Sequence, residues 1–448
     1  MKDNPYPLEP LFGRILSPFE HFLHRTTAGG IVLLAATATA LTLASVFGAE
    51  ALHHLIEQPV GVSAGPERRL ELSLHHSIND GLMALFFLVV GLELKREILV
   101  GELSSLKDAA LPVFAAAGGM LAPALVYAAF NAGTPAAHGW GIPMATDIAF
   151  AVGILVLLAS RVPRNLVIFL TALAIADDLG AVLVIAGFYT DDLNTGALTV
   201  VGVVFALLVL LNRGGVRNAL PYLLLGIPLW VALYHSGVHA TLAGVLLALT
   251  IPAHPADTPA RFERGIEDLL DAFRADRRDQ STPDDPLSNR RMATIAEAME
   301  RASASVQSPL QRIEHRLTPW VTFLVLPLFA LANAGIDLRA VSWENALTDS
   351  VTLGVIGGLA IGKFAGISLF SWLAVSMGVA RLPSGVGWRH VLGAAWLAGI
   401  GFTMSLFIAQ LAFADTALVE EAKLGIVIGS FASALIGLAW LYTAGARK

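Results

Sequence analysis

A chain of 448 residues that is 55% hydrophobic and only 14% charged lies far from a soluble protein, in which about a quarter of the residues carry charge. That composition argues against a soluble enzyme or a nucleic-acid-binding module and for a polytopic membrane protein, where the net charge of −6 matters less than where Lys and Arg fall. The absence of cysteine excludes disulfides and thiolate metal sites.

Residues 1–26 contain Pro5, Pro7, Pro10, Glu9 and Glu20 and no apolar core, so they read as a cytoplasmic N-terminal segment rather than a cleavable signal peptide. Twelve apolar stretches of roughly spanning length follow, near 27–47, 76–100, 108–130, 140–160, 165–189, 195–212, 218–235, 238–253, 317–336, 350–378, 388–412 and 422–443. The first eight fill 27–253 and the last four 312–448. Between the first two, residues 49–74 carry Gln58-Pro59-Val60-Gly61-Val62, Gly65-Pro66 and the alternating Leu70-Glu71-Leu72-Ser73-Leu74. This pattern predicts a small extracytoplasmic β-hairpin whose free edge offers a route to a homodimer, although a plain surface loop fits about as well. Residues 254–311 are rich in Pro, Asp, Arg and Ser and read as a cytoplasmic insertion, with short amphipathic helices near Phe262 to Phe273 and Ala293 to Ala302. With the N-terminus inside, 24 of the 29 Lys and Arg residues fall on cytoplasmic segments, which also places the C-terminus inside.

Few ionisable residues interrupt the apolar runs away from their ends. Asp177 and Asp178 stand side by side in Ala174-Ile175-Ala176-Asp177-Asp178-Leu179-Gly180, Asp147 follows Pro143-Met144-Ala145-Thr146, and Lys363 follows Gly357-Gly358 and Gly362. Each ionised acid costs about 2.5–3.5 kcal/mol at the centre of a spanning helix, so the pair marks a functional site. At 1.5 Å rise per residue Asp147, Asp177 and Lys363 all lie roughly 20 Å from their helix ends, at one depth. Successive helical residues point about 100° apart, so Asp177 and Asp178 cannot both face Lys363. Such a group titrates as a coupled unit, and protons compete with a hard cation for the same oxygens; Thr146 and nearby backbone could complete a shell for Na⁺ or Li⁺. Gly141 and Pro143 break the fourth helix and Gly399-Ile400-Gly401-Phe402-Thr403 breaks the eleventh, the arrangement of a transporter site between inverted repeats, here helices 3–5 and 10–12. The expected fold is therefore all-α, with about twelve spanning helices, two of them broken.

Several stretches, in order, carry a resemblance. They are Asn79-Asp80 through Phe86-Phe87-Leu88-Val89-Val90-Gly91-Leu92-Glu93-Leu94-Lys95-Arg96-Glu97, Pro143 to Phe150, Ala174 to Gly180, Ser236 to Gly244, Leu326 to Gly335, Ile361-Gly362-Lys363 and Gly399 to Ser405. From about residue 26 to 443 the chain resembles the NhaA-type sodium/proton antiporters. That resemblance implies export of one Na⁺ or Li⁺ for two H⁺ across a bacterial inner membrane, with no cofactor. It makes Asp178 the likelier direct ion ligand, Asp177 the partner of Lys363, and Thr146 and Asp147 the broken-helix positions that balance half-helix ends, with Gly399, Gly401 and Thr403 opposite them. It also makes Glu93, Arg96, Glu97, Glu314 and His315 the cytoplasmic pH-response cluster. The chain departs from the family at Thr318, where a second histidine often stands, and in its longer 254–311 insertion.

Two rivals are weaker. An intramembrane aspartyl protease also needs two membrane acids, but its Gly-x-Gly-Asp context is absent here and a nearby lysine disfavours a shared proton. A transporter of organic anions would want an arginine at Lys363's depth, and the sequence has none there.

Overall fold

The computed structural model describes residues 28–48, 54, 57–63, 69–190, 193–278, 288–339, 341–346 and 348–444; the N-terminal segment 1–26 and part of the expected hairpin loop lie outside them. Helix α1 (Ala28–Phe47) is followed by strands β1 (Pro59–Ser63) and β2 (Arg69–Ser73), which pair antiparallel with Pro59 opposite Ser73. A π-helical turn, Ser77–Leu82, then leads into α2 (Met83–Val100). Next come α3 (Leu106–Asn131), a 3-10 segment (Pro135–Met144), α4 (Ile148–Leu157) and α5 (Arg164–Phe188). Helices α6 (Thr195–Arg213), α7 (Leu220–Tyr234) and α8 (Leu242–Thr250) close the first half.

Helices α9 (Pro259–Arg278) and α10 (Arg290–Ser305) precede α11 (Pro309–Trp320), which continues through a π turn into α12 (Leu326–Asn333). After the short α13 (Trp343–Ala346), α14 (Ser350–Ile356) runs through a second π turn, Gly357–Gly362, into α15 (Lys363–Ser376). The chain ends with α16 (Trp388–Leu397), α17 (Phe402–Ala412) and α18 (Thr416–Ala444).

All twelve apolar stretches contain helix. Eight helical segments of the described chain are long and apolar enough to cross a membrane unaided, and the bent pair α16–α17 makes up to nine. The remaining three differ for visible reasons: α2 carries Glu93, Lys95, Arg96 and Glu97, and α7 and α8 span only 15 and 9 residues.

Hydropathy misplaced some helix starts. The helix expected at 317 begins at Pro309, where Ser308 and Gln311 form a reciprocal capping box, so Glu314 and His315 sit within a helix rather than at its entry. The last helix begins at Thr416 rather than near 422, and Lys423, within its second turn, pairs with Glu420 at 2.7 Å. The two insertion helices also run longer than expected. Polar, well-capped first turns carry no hydropathy signal but are stable helix starts.

One core joins α1, α3, α4, α5, α12 and α14 to α18 with one side of α2 and α8, and a second joins the other side of α2 and α8 to α6, α7 and α11 around Leu92, Leu208, Tyr222 and Ile313. Helix α6 buries only Leu208 and exposes Val200, Val203, Leu207 and Leu210, an apolar surface suited to lipid and unsuited to water. The helices nearest the site pack backbone to backbone: a Cβ on Gly366 would lie 2.1 Å from the Gly118 carbonyl oxygen, and one on Gly358 2.6 Å from Pro143. Small residues allow this approach, and it brings the π turn before Lys363 against the 3-10 segment.

Candidate functional site

Both breaks lie where the sequence removes helix bonding. Pro143 lacks an N–H, Ala145 is extended, and Asp147 caps α4 with its side chain. On the other side, α16 ends at Leu397 and α17 begins at Phe402, the pair bent by 47°. A Cβ on Gly399 would meet the Leu359 carbonyl at 2.5 Å, and one on Gly401 would meet Ser405 Oγ at 2.2 Å, so the crossing requires glycine at both positions.

The breaks are tied to each other. The Asp147 amide donates to the Ile400 carbonyl at 2.7 Å, and Ser405 Oγ donates to the Ile142 carbonyl at 2.7 Å. Asp147 Oδ1 accepts from the Phe150 amide at 3.1 Å, in the first turn of α4. Its Oδ2 accepts from the Thr403 amide at 3.0 Å and from the Thr403 hydroxyl, in the first turn of α17. One carboxylate thus serves the positive ends of two helices, where a negative charge is stabilised. Ser430 Oγ, from α18, accepts from the Gly401 and Phe402 amides at 3.3 and 3.2 Å.

Helix α5 runs past this crossing with its two acids. Asp177 Oδ2 accepts from Lys363 Nζ and from Thr146 Oγ1, the latter at 2.8 Å. Lys363 Nζ also donates to Thr146 Oγ1 at 2.9 Å, and the lysine is completely buried. The Thr146 hydroxyl has one proton and two acceptors, Asp177 Oδ2 and the Ala398 carbonyl, each at 2.8 Å, so it serves one at a time. Asp178 is 1% exposed and enters no ion pair among the described residues; its Oδ1, like that of Asp177, is buried without a protein partner.

The expected grouping therefore resolves into two units. Asp177, Lys363 and Thr146 touch directly, whereas Asp147 turns away to Thr403, because a residue at a helix break is not held to the helical 100° spacing. Asp178 faces neither. A carboxylate that presents acceptor oxygens without a fixed donor is chemically available to a proton or a small hard cation.

A second cluster lies at the far end of α2. Arg96 contacts Glu314 at 3.1 Å, Glu97 at 3.4 Å and Glu93 at 3.9 Å; His315 is exposed beside Glu314 on α11. Sequence reasoning missed Lys95, whose Nζ donates to the Leu249 carbonyl at 2.7 Å and caps the C-terminal end of α8. It also missed Ser430, and a buried amide network in which Asn333 exchanges bonds with Asn79 while its Oδ1 takes Gln410 Nε2 at 3.1 Å. Polar residues inside apolar runs were the available signal for the asparagines; Ser430 had none.

Two helices broken at one level, crossing beside a buried acid–lysine pair, define a polytopic membrane protein of the secondary-transporter class, by a rule drawn in part from sodium/proton antiporters. The profile of the family described as Na⁺/H⁺ antiporter 1 matches residues 20–441, and the chain belongs to that family, the NhaA-type antiporters. It is 64% identical over 446 residues to a relative from Syntrophobacter fumaroxidans named Na(+)/H(+) antiporter NhaA, covering 100% of this chain and 94% of the relative. A relative of the same name from Acidithiobacillus ferrooxidans is 58% identical over 437 residues, covering 97% of this chain and 99% of the relative. Na(+)/H(+) antiporter NhaA 1 of Saccharophagus degradans is 46% identical over 450 residues, covering 100% of this chain and 96% of the relative.

Proposed function

We propose that the protein is an electrogenic antiporter of the bacterial inner membrane that exports one Na⁺ or Li⁺ for two H⁺ by alternating access and is regulated by pH. The observation that carries this reading is the Asp178 carboxylate, buried beside the Asp177–Lys363 pair with an oxygen that no protein donor occupies. Asp178 holds either a proton or the cation, and Thr146 supplies a further oxygen. Asp177 exchanges its contact with Lys363 as protons arrive and leave, the Thr146 hydroxyl swinging between Asp177 and the Ala398 carbonyl. Asp147 keeps the two half-helix ends neutralised throughout.

Twelve spans with both termini in the cytoplasm accommodate this cycle, the short α7 and α8 counting as spans. That orientation places the Arg96 cluster on the cytoplasmic face, where Glu93, Arg96, Glu97, Glu314 and His315 respond to internal pH, and makes the α9–α10 segment a cytoplasmic insertion. The β1–β2 pair is then extracytoplasmic, its edge joining two copies in a homodimer.

Two protons inward for one cation outward move one net charge, so an inside-negative potential adds about 2.3 kcal/mol per 100 mV to the driving force. Reconstituted into proteoliposomes, the protein exchanges Na⁺ against a pH gradient at a rate that rises with potential. Exchange indifferent to potential would rule out the two-for-one stoichiometry.

A further inference from the structure

A cavity of about 590 Å³ opens among the N-terminal ends of α3 and α5 and the loop after α15, at the end of the bundle where α2 finishes. It is within the size range of small-molecule sites, about 300–1,000 Å³. Four charged side chains line it: Lys107 and Arg381, and Glu102 and Asp108. Here none of the four enters an ion pair among the described residues, and the one bond to their charged groups runs from Ser105 Oγ to Asp108 Oδ2 at 2.6 Å. Two cations and two anions held apart around one space match a ligand carrying both signs, and neither a lone anion nor a lone cation satisfies the set.

The lip of the cavity says where such a ligand comes from. Ile168 and Val379, 43% and 49% exposed, border it with apolar surface, and Phe169 forms a buried apolar wall. In a chain that spans a membrane, exposed aliphatic side chains at a polar cavity's rim meet acyl chains. We propose that this cavity is a headgroup site for a zwitterionic phospholipid with a primary ammonium group, of the phosphatidylethanolamine type. Lys107 and Arg381 take the phosphate through charge-assisted bonds, and Glu102 and Asp108 accept from the ammonium N–H groups. A trimethylammonium headgroup has no N–H to offer and an anionic glycerol headgroup has no cation, so the site discriminates against both.

The test is lipid add-back to the delipidated full-length protein, read by native mass spectrometry, with phosphatidylethanolamine, phosphatidylcholine and phosphatidylglycerol in equal amounts. The ethanolamine lipid is retained preferentially by the unaltered chain. Lys107→Ala with Arg381→Ala lowers its retention roughly fivefold, as the loss of two exposed charge pairs allows. Glu102→Ala with Asp108→Ala instead keeps lipid bound but shifts the preference to phosphatidylglycerol. All four side chains are exposed and Asp108 gives up only its first-turn contact with Ser105, so both variants fold, as a retained cooperative unfolding transition verifies. Equal retention of the three lipids, or unchanged preference in either variant, overturns the proposal. Displacement of the lipid by free phosphoethanolamine at equal concentration would assign the site to a soluble ligand and overturn the lipid reading.

Discussion

Asp147 and Asp178 are both buried carboxylates at the same crossing, yet their surroundings are opposite. Both oxygens of Asp147 are occupied, Oδ1 by a donor from the first turn of α4 and Oδ2 by donors from the first turn of α17, whereas Asp178 has an oxygen with no protein donor at all. A saturated carboxylate is a fixed part of the scaffold, because removing it orphans the groups that bind it. An unsaturated one raises the energy of the folded state and is retained only where something else comes to bind. The comparison separates a saturated acid from an open one, which the proposed cycle makes the exchanging group, and Asp177 stands between them, paired with Lys363 through one oxygen only.

Substitutions sharpen or break that contrast. Asp178→Asn has the largest effect on transport: Na⁺-driven discharge of a pH gradient in proteoliposomes falls to background while the unfolding temperature in detergent stays level or rises. Transport that survives this change would remove Asp178 from the cycle. Lys363→Ala has the largest effect on stability, since it strands the buried Asp177 carboxylate at a cost on the order of 3–5 kcal/mol. Adding Asp177→Asn to Lys363→Ala recovers much of that loss in the same thermal assay.

At the saturated acid the effects are structural. Gly401→Ala pushes a Cβ into Ser405 Oγ and the Leu359 side chain, costing about 1–3 kcal/mol and slowing exchange without changing its ion preference. Thr403→Val removes one of the donors to Asp147 and lowers stability by about 1 kcal/mol, with exchange largely retained. An unfolding temperature unmoved by Thr403→Val would mean that Asp147 is not the scaffold element its bonds suggest. Away from the crossing, Glu314→Gln loosens a partly exposed contact worth at most about 1 kcal/mol, so its signature is a displaced pH profile of exchange rather than lost stability.

Much of the site was legible because the membrane makes charge expensive. Asp147, Asp177, Asp178 and Lys363 stood out by cost alone, and helical geometry anticipated that only one of the adjacent acids would meet the lysine. Gly and Pro likewise marked both breaks. Where the chain leaves the helix, that geometry stops applying: nothing in the sequence indicated that Asp147 would turn to Thr403, because the direction of a side chain at a break depends on the partner helix. Ser430 was illegible for the same reason, being one small polar residue in a 29-residue helix whose role comes from what crosses above it. Helix starts at Pro309 and Thr416 were missed because capped polar turns look like loops to hydropathy.

The bond from the Asp147 amide to the Ile400 carbonyl has a mechanical meaning. It joins main chain to main chain, so no exchange of side chains removes it, and with the Ser405–Ile142 and Thr403–Asp147 bonds it couples α4 to α17. In the alternating-access cycle proposed above, the two broken helices then swing as a single lever, and α5 with its acids is the fulcrum against which that lever turns. In that proposed cycle the clasped unit as a whole, and neither half-helix on its own, gates ion release.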